Sequence, residues 1–214
     1  MRTGRPRSFC KDDALDRAMM VFWRNGYEGA SMADLTHAMG INSPSLYACF
    51  GSKEGLFKAV LDHYDQRRAA FMNDVLAAPT AAEVAETFLY GVAAFAVDTG
   101  GKNPPGCLML QGGISCGDAE IPDALAKHRA EKEAMLRTRF EQAKKAGDLC
   151  EKANPAAMAR YLTAMANGIC VQAAAGASPQ ELREVASLAL AGWQGAASDC
   201  GNREQGKVKA EASS

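Results

Sequence analysis

Between Ser31 and Lys53 the chain sets out a run of small hydrogen-bonding groups. Ser31, Ser43 and Ser45 carry hydroxyls, Tyr47 a phenol, and Lys53 a cation in the first turn of a following helix. Groups of this kind bind rather than break bonds, and Lys53 at a helix start suits a phosphate. No nucleophile paired with a base, and no metal or cofactor constellation, is found in the sequence, which argues against an enzyme and predicts neither metal nor cofactor. His63 and His128 lack partners at metal-ligand spacing.

The elements that position these groups are short helices. Ser31 and Asp34 make a capping pair, Met32, Leu35, Ala38 and Met39 recur at helical spacing, and Gly40 stops the helix and redirects the chain. Ser43 at the N-cap and Pro44 at the first helical position predict a second helix with Leu46 and Phe50 inward and Ser45, Tyr47 and Ala48 outward. Two helices around a glycine turn form a helix-turn-helix, whose second helix can enter a major groove. Before them, Lys11 to Asn25 carries Leu15, Ala18, Met19 and Phe22 on one face and reads as a supporting helix ended by Gly26.

The order Phe22-Trp23-Arg24-Asn25-Gly26-Tyr27, Ala30-Ser31-Met32, Gly40-Ile41, Ser45-Leu46-Tyr47 and Phe50-Gly51-Ser52-Lys53-Glu54-Gly55-Leu56 resembles the N-terminal domain of the TetR/AcrR family of transcriptional regulators. The motifs cover about the first quarter of the chain. The resemblance implies that Ser31, Ser43, Pro44, Ser45 and Tyr47 lie against phosphate or base edges and that Lys53 holds a phosphate. It also implies a ligand-responsive repressor on a palindromic double-stranded operator, dimeric through its last two helices. At Cys49, where many family members carry histidine or an aromatic residue, the pattern departs and no such contact is carried over.

Charge agrees locally rather than globally. The 214 residues have a net charge of −1, but residues 1–58 hold eight Lys/Arg against six Asp/Glu. Arg2, Arg5 and Arg7 stand in the first seven residues without an acid, so Arg5 and Arg7 are expected to extend the DNA footprint as an arm. The chain is 48% hydrophobic, ample for a packed core, and it has no apolar run of membrane-spanning length and no signal-peptide pattern. A cytoplasmic location is expected, with the seven scattered cysteines mostly reduced.

The whole reads as all-α, about nine helices: a helix-turn-helix domain over 1–51, a helical ligand-binding and dimerisation domain over 52–200, and a disordered tail over 201–214. A helix of up to about seven turns from Ser52 joins the reading motif to the downstream helices, so that a tilt at its far end moves the DNA-facing end. Tyr64, Phe71, Phe95, Cys107, Met109, Gln111 and Met135 are candidate ligand-binding residues. Cys107, at an expected helix start after Pro105 and Gly106, could instead be a reactive thiol with Cys116 as its resolving partner, which makes a thiol-switched repressor the first alternative. Helices from Pro155 and Ser178 expose more apolar surface than one small core requires. Met158, Tyr161, Met165, Ile169, Leu182, Val185, Leu188 and Trp193 are therefore expected at the dimer interface. A helical scaffold or adaptor would explain those helices but not the arginine arm or the Ser31 to Lys53 array.

Overall fold

The computed structural model describes residues 11–97, 103–111 and 120–198, and among them every regular element is helical. In order these are α1 (Lys11–Gly29), α2 (Met32–Met39), α3 (Ser43–Phe50), α4 (Lys53–Ala77), α5 (Ala81–Ala96), α6 (Leu108–Gln111), α7 (Glu120–Lys145), α8 (Pro155–Ala174) and α9 (Pro179–Ser198). Arg5, Arg7, Cys116 and the tail over 201–214 lie outside the described residues.

Local sequence explains most boundaries. Ser31 and Thr80 close capping boxes with Asp34 and Glu83 at the starts of α2 and α5. Ser178 and Glu181 bond reciprocally at the start of α9. The backbone N–H of Ser178, and then its hydroxyl, hold the Glu181 carboxyl below its ordinary range. Gly26 adopts φ 69° and breaks α1, after which a last helical turn runs on to Gly29. α7 begins at Glu120, with Pro122 inside its first turn, where a missing N–H costs no hydrogen bond.

The chain groups into two compact units, Met1–Ala70 with Asp98–His128 and Phe71–Val97 with Arg129–Ser214. The division falls inside α4 and α7. In the first unit, Phe22 and Trp23 of α1, Leu35 and Met39 of α2, Leu46 of α3 and Leu56, Phe57, Val60 and Leu61 of α4 share one core with Leu108, Ile121 and Leu125. Phe22 meets Phe57 edge to face at 4.9 Å between ring centroids, and Tyr27 meets Phe57 at 5.2 Å. Two histidines tie the same unit together. His63 of α4 hydrogen-bonds Asp16 of α1 at 2.8 Å, and His128 of α7 hydrogen-bonds Asp65 of α4 at 2.6 Å, so both have carboxylate partners distant in sequence.

In the second unit α5, α8 and α9 pack on one another. Phe140 lies against Trp193 at 5.3 Å. The Arg139 guanidinium donates to the carbonyls of Leu76, Ala78 and Pro79, satisfying acceptors left open at the end of α4.

Phe57 is fully buried at the meeting of three aromatic rings. Phe57→Ala is expected to cost about 3–5 kcal/mol of unfolding free energy, measured by urea denaturation. The half-exposed Tyr47 changed to Ala should alter the same curve by no more than about 0.5 kcal/mol.

Candidate nucleic-acid interface

The reading elements start at three closely linked helix ends. Ser31 caps α2, and its hydroxyl accepts the N–H of Asp34 at 3.1 Å. Gly40 ends that helix in the left-handed conformation, φ 69° and ψ 29°, which returns the chain toward α3 within two residues. The cap of α3 is Asn42, one residue earlier than the sequence predicts. Its carboxamide oxygen accepts the Ser45 N–H at 2.9 Å, while Ser43 is the first helical residue. Asparagine and serine are equally good N-caps, and with Pro44 lacking an N–H the donor at Ser45 is the one that must be met. Asn42 is thus a residue that sequence reasoning passed over, although the run Asn-Ser-Pro carried the signal.

Leu46 is the one fully buried side chain of α3. Ser43, Pro44 and Ser45 are exposed, and Tyr47 is 50% exposed. No residue of α3 carries a formal charge. The face therefore offers hydroxyls, a phenol ring and small aliphatic groups, with Cys49 exposed beside them as a reduced thiol.

Lys53 opens α4, where Ser52 Oγ accepts the Gly55 N–H at 3.0 Å. Its ammonium sits 4.6 Å above the centre of the Tyr27 ring and donates to the Glu28 carbonyl at 3.4 Å. This fixes the beginning of α4 against the end of α1, three residues before the Ser31 cap. Gly55 permits the adjacent turn: a Cβ there would stand 2.1 Å from the Phe50 carbonyl oxygen, too close for any side chain. One turn on, Lys58 is held by Glu54 and by Glu120 at 3.0 Å. The Glu54 hydrogen bond, and then that of Glu120, push its ammonium pKa upward, so Lys58 is charged but already paired.

The candidate effector residues fall in both units. Tyr64 is buried, with its hydroxyl 3.4 Å from Cys107 Sγ, Trp23 edge-on at 5.4 Å and the Arg68 guanidinium 4.6 Å over its ring. Met109 is also buried there. In the second unit Phe71 lies between Phe88 and Phe95, while Phe95 and Met135 are largely exposed. The Gln111 side chain lies outside the described residues.

Of the residues expected at a dimer interface, Met158, Ile169, Leu182 and Trp193 are buried in the second unit's own core. Tyr161 and Met165 are half-buried, and the Tyr161 hydroxyl donates to the Ala189 carbonyl at 3.1 Å. Val185 and Leu188 are exposed, Leu188 at 76%, and Val171, not singled out from the sequence, is 56% exposed.

A helix-turn-helix braced by α1 and α4, followed by a larger helical part, defines a class of DNA-binding regulators. Residues 14–60 match the model of bacterial regulatory proteins of the tetR family. The HTH-type transcriptional repressor ComR of Escherichia coli (strain K12) is 34% identical over 192 residues, 89% of this chain and 91% of that protein. The HTH-type transcriptional repressor BdcR of the same strain is 45% identical over 73 residues, 34% of this chain and 37% of that protein. Among solved structures, the TetR family transcriptional regulator CifR, complexed with a 26 bp double-strand operator DNA, superimposes with a TM-score of 0.81 at 40% identity, over 88% of this chain and all of that one. The chain belongs to the TetR family of transcriptional regulators.

If Asn42 rather than Ser43 caps the reading helix, Asn42→Ala should cost about 1 kcal/mol and Ser43→Ala distinctly less. Thermal melts of the two variants followed by circular dichroism compare them directly.

Proposed function

We propose that the protein is a dimeric transcriptional repressor that holds a palindromic operator through α3 and is released by a small-molecule effector bound in the helical part beyond the reading motif. The observation that carries this reading is α3 itself. It is anchored by the buried Leu46 and the half-buried Phe50 and presents an otherwise exposed face of hydroxyls, one phenol and small groups, the dimensions and chemistry that fit a major groove. The repressors ComR and BdcR, and CifR with its operator duplex, support the same reading.

In this proposal Ser31 and Lys53 bind phosphates while Ser43, Pro44, Ser45 and Tyr47 meet the floor and walls of the groove. Ser31 goes on accepting the Asp34 N–H while its hydroxyl proton turns from the Asp34 carboxylate to the phosphate, and that carboxylate keeps the Ser31 backbone N–H. Arg5 and Arg7 extend the contact as an arm. Two copies associate through the outer faces of α8 and α9, where Val171, Val185 and Leu188 leave apolar surface uncovered. One helix reads only a few base pairs, so a dimer reaching two half-sites about one helical turn apart gains the selectivity a repressor requires. The larger helical part, 52–200, would serve effector binding and dimerisation in a cytoplasmic protein. Cys107 has a packing role here, beside Tyr64.

Binding to duplexes carrying palindromes from the region upstream of its own gene tests the reading, with fluorescence anisotropy as the readout. Tyr47→Ala should weaken specific binding by about 1–3 kcal/mol, roughly five- to 150-fold, while leaving the fold intact. Leu188→Glu should convert dimer to monomer in sedimentation and abolish operator selectivity. Failure of the parent protein to bind any such palindrome in a salt-dependent way would overturn the proposal.

A further inference from the structure

α3 carries no charge, yet duplex DNA presents one negative charge for about every 1.7 Å of its axis, so most affinity must come from cations placed elsewhere. Several cations of the first unit are already engaged. Lys58 is held by two glutamates, and Arg67 bonds Asp16 at 2.6 Å. Arg17 and Arg24 differ: among the described residues no carboxylate pairs with either guanidinium. Both are exposed and line one open groove of about 470 Å³ between α1 and α2, together with Met20, Asn25, Asp34 and His37. Asp34 is the one acid there, and its carboxylate is committed to the Ser31 backbone N–H and hydroxyl.

We infer that this groove is a second DNA-backbone contact, in which Arg17 and Arg24 hold phosphates flanking the bases read by α3. The inference rests on the DNA-binding reading above.

Position supports it as well as charge. The Arg17 Nη1 atom lies 3.6 Å from where a Cβ on Gly40 would stand, so this guanidinium sits at the turn that delivers α3. Arg24 lies two turns of α1 further on, roughly 10 Å along the axis at 1.5 Å per residue. At a 3.4 Å rise per nucleotide on one strand, that separation spans about three phosphates. Asn25 adds an uncharged donor beside Arg24. Nothing in the groove distinguishes one base pair from another, so its contribution is to affinity and register rather than sequence.

The test is the salt dependence of binding by the full-length dimer to its operator duplex and to an unrelated duplex of equal length. The paired variant R17Q/R24Q should bind both more weakly by the same factor. Its plot of log affinity against log salt should be shallower by about 3.6, since the dimer loses two cations from each subunit and each phosphate left without its cation removes about 0.9 from the slope. R17K/R24K, which keeps both charges, should retain the parental slope. Helical circular dichroism confirms folding, and if the pair fails to fold, R17Q and R24Q singly should each remove about half of the change. A parental slope in R17Q/R24Q, or an equal loss in R17K/R24K, overturns the inference. A parent protein without salt-dependent DNA binding instead overturns the regulatory reading beneath it.

Discussion

The meeting of Phe22, Tyr27 and Phe57 is the contact on which the reading end of the molecule depends. Phe22 and Tyr27 stand on either side of the Gly26 break in α1, and Phe57 comes from the second turn of α4. Phe57 touches both of the other rings edge to face, an arrangement worth about 0.5–1.5 kcal/mol per pair beyond simple burial. The geometry fixes where α1 ends and α4 begins, and those ends frame α2 and α3. α3 has little means of holding itself in place, since Leu46 is its only fully buried side chain and a helix of eight residues is marginal in isolation. Its orientation is therefore borrowed from the aromatic junction behind it.

An anchor of Leu46 and the half-buried Phe50 leaves the rest of α3 available, and the chain leaves that surface uncharged. Hydroxyls and a phenol can satisfy donors and acceptors on base edges without the long-range pull of an ammonium or guanidinium, which acts equally on every sequence. Charge is supplied by the elements around the reading helix, at the start of α4 and along α1. In the proposed complex, recognition and attraction would fall to different helices.

What the sequence made legible was mainly local. The pairs Ser31 with Asp34, Thr80 with Glu83 and Ser178 with Glu181 each span three residues, so the chain alone determines them. The order of glycine, serine and lysine around α3 was equally readable. Where two adjacent residues could both cap a helix, as at Asn42 and Ser43, position was uncertain by one. Burial at α8 and α9 was less legible. Hydrophobic spacing marks a broad apolar surface but does not divide it between a protomer's own core, which takes Ile169 and Leu182, and the outside, where Leu188 and Val171 remain. The partners of His63 and His128, 47 and 63 residues away, follow only from the packing of α1 and α7 on α4. The groove holding Arg17 and Arg24 was hidden for a similar reason: Arg24 stands within the Phe22 to Tyr27 run and Arg17 outside it, and only the packing of α1 on α2 brings them into one groove.

Lys53 carries one further consequence. A lysine on a protein surface ordinarily samples many rotamers, and immobilising a side chain of this kind costs on the order of 1 kcal/mol. Here the aliphatic stem is half-covered and the ammonium is settled between the Tyr27 ring and the Glu28 carbonyl. Neither partner neutralises it, because a ring face and a carbonyl attract a cation without cancelling its charge. Much of the side chain's disorder is thus surrendered during folding, and an anion arriving at the start of α4 meets a charge that is already stationary.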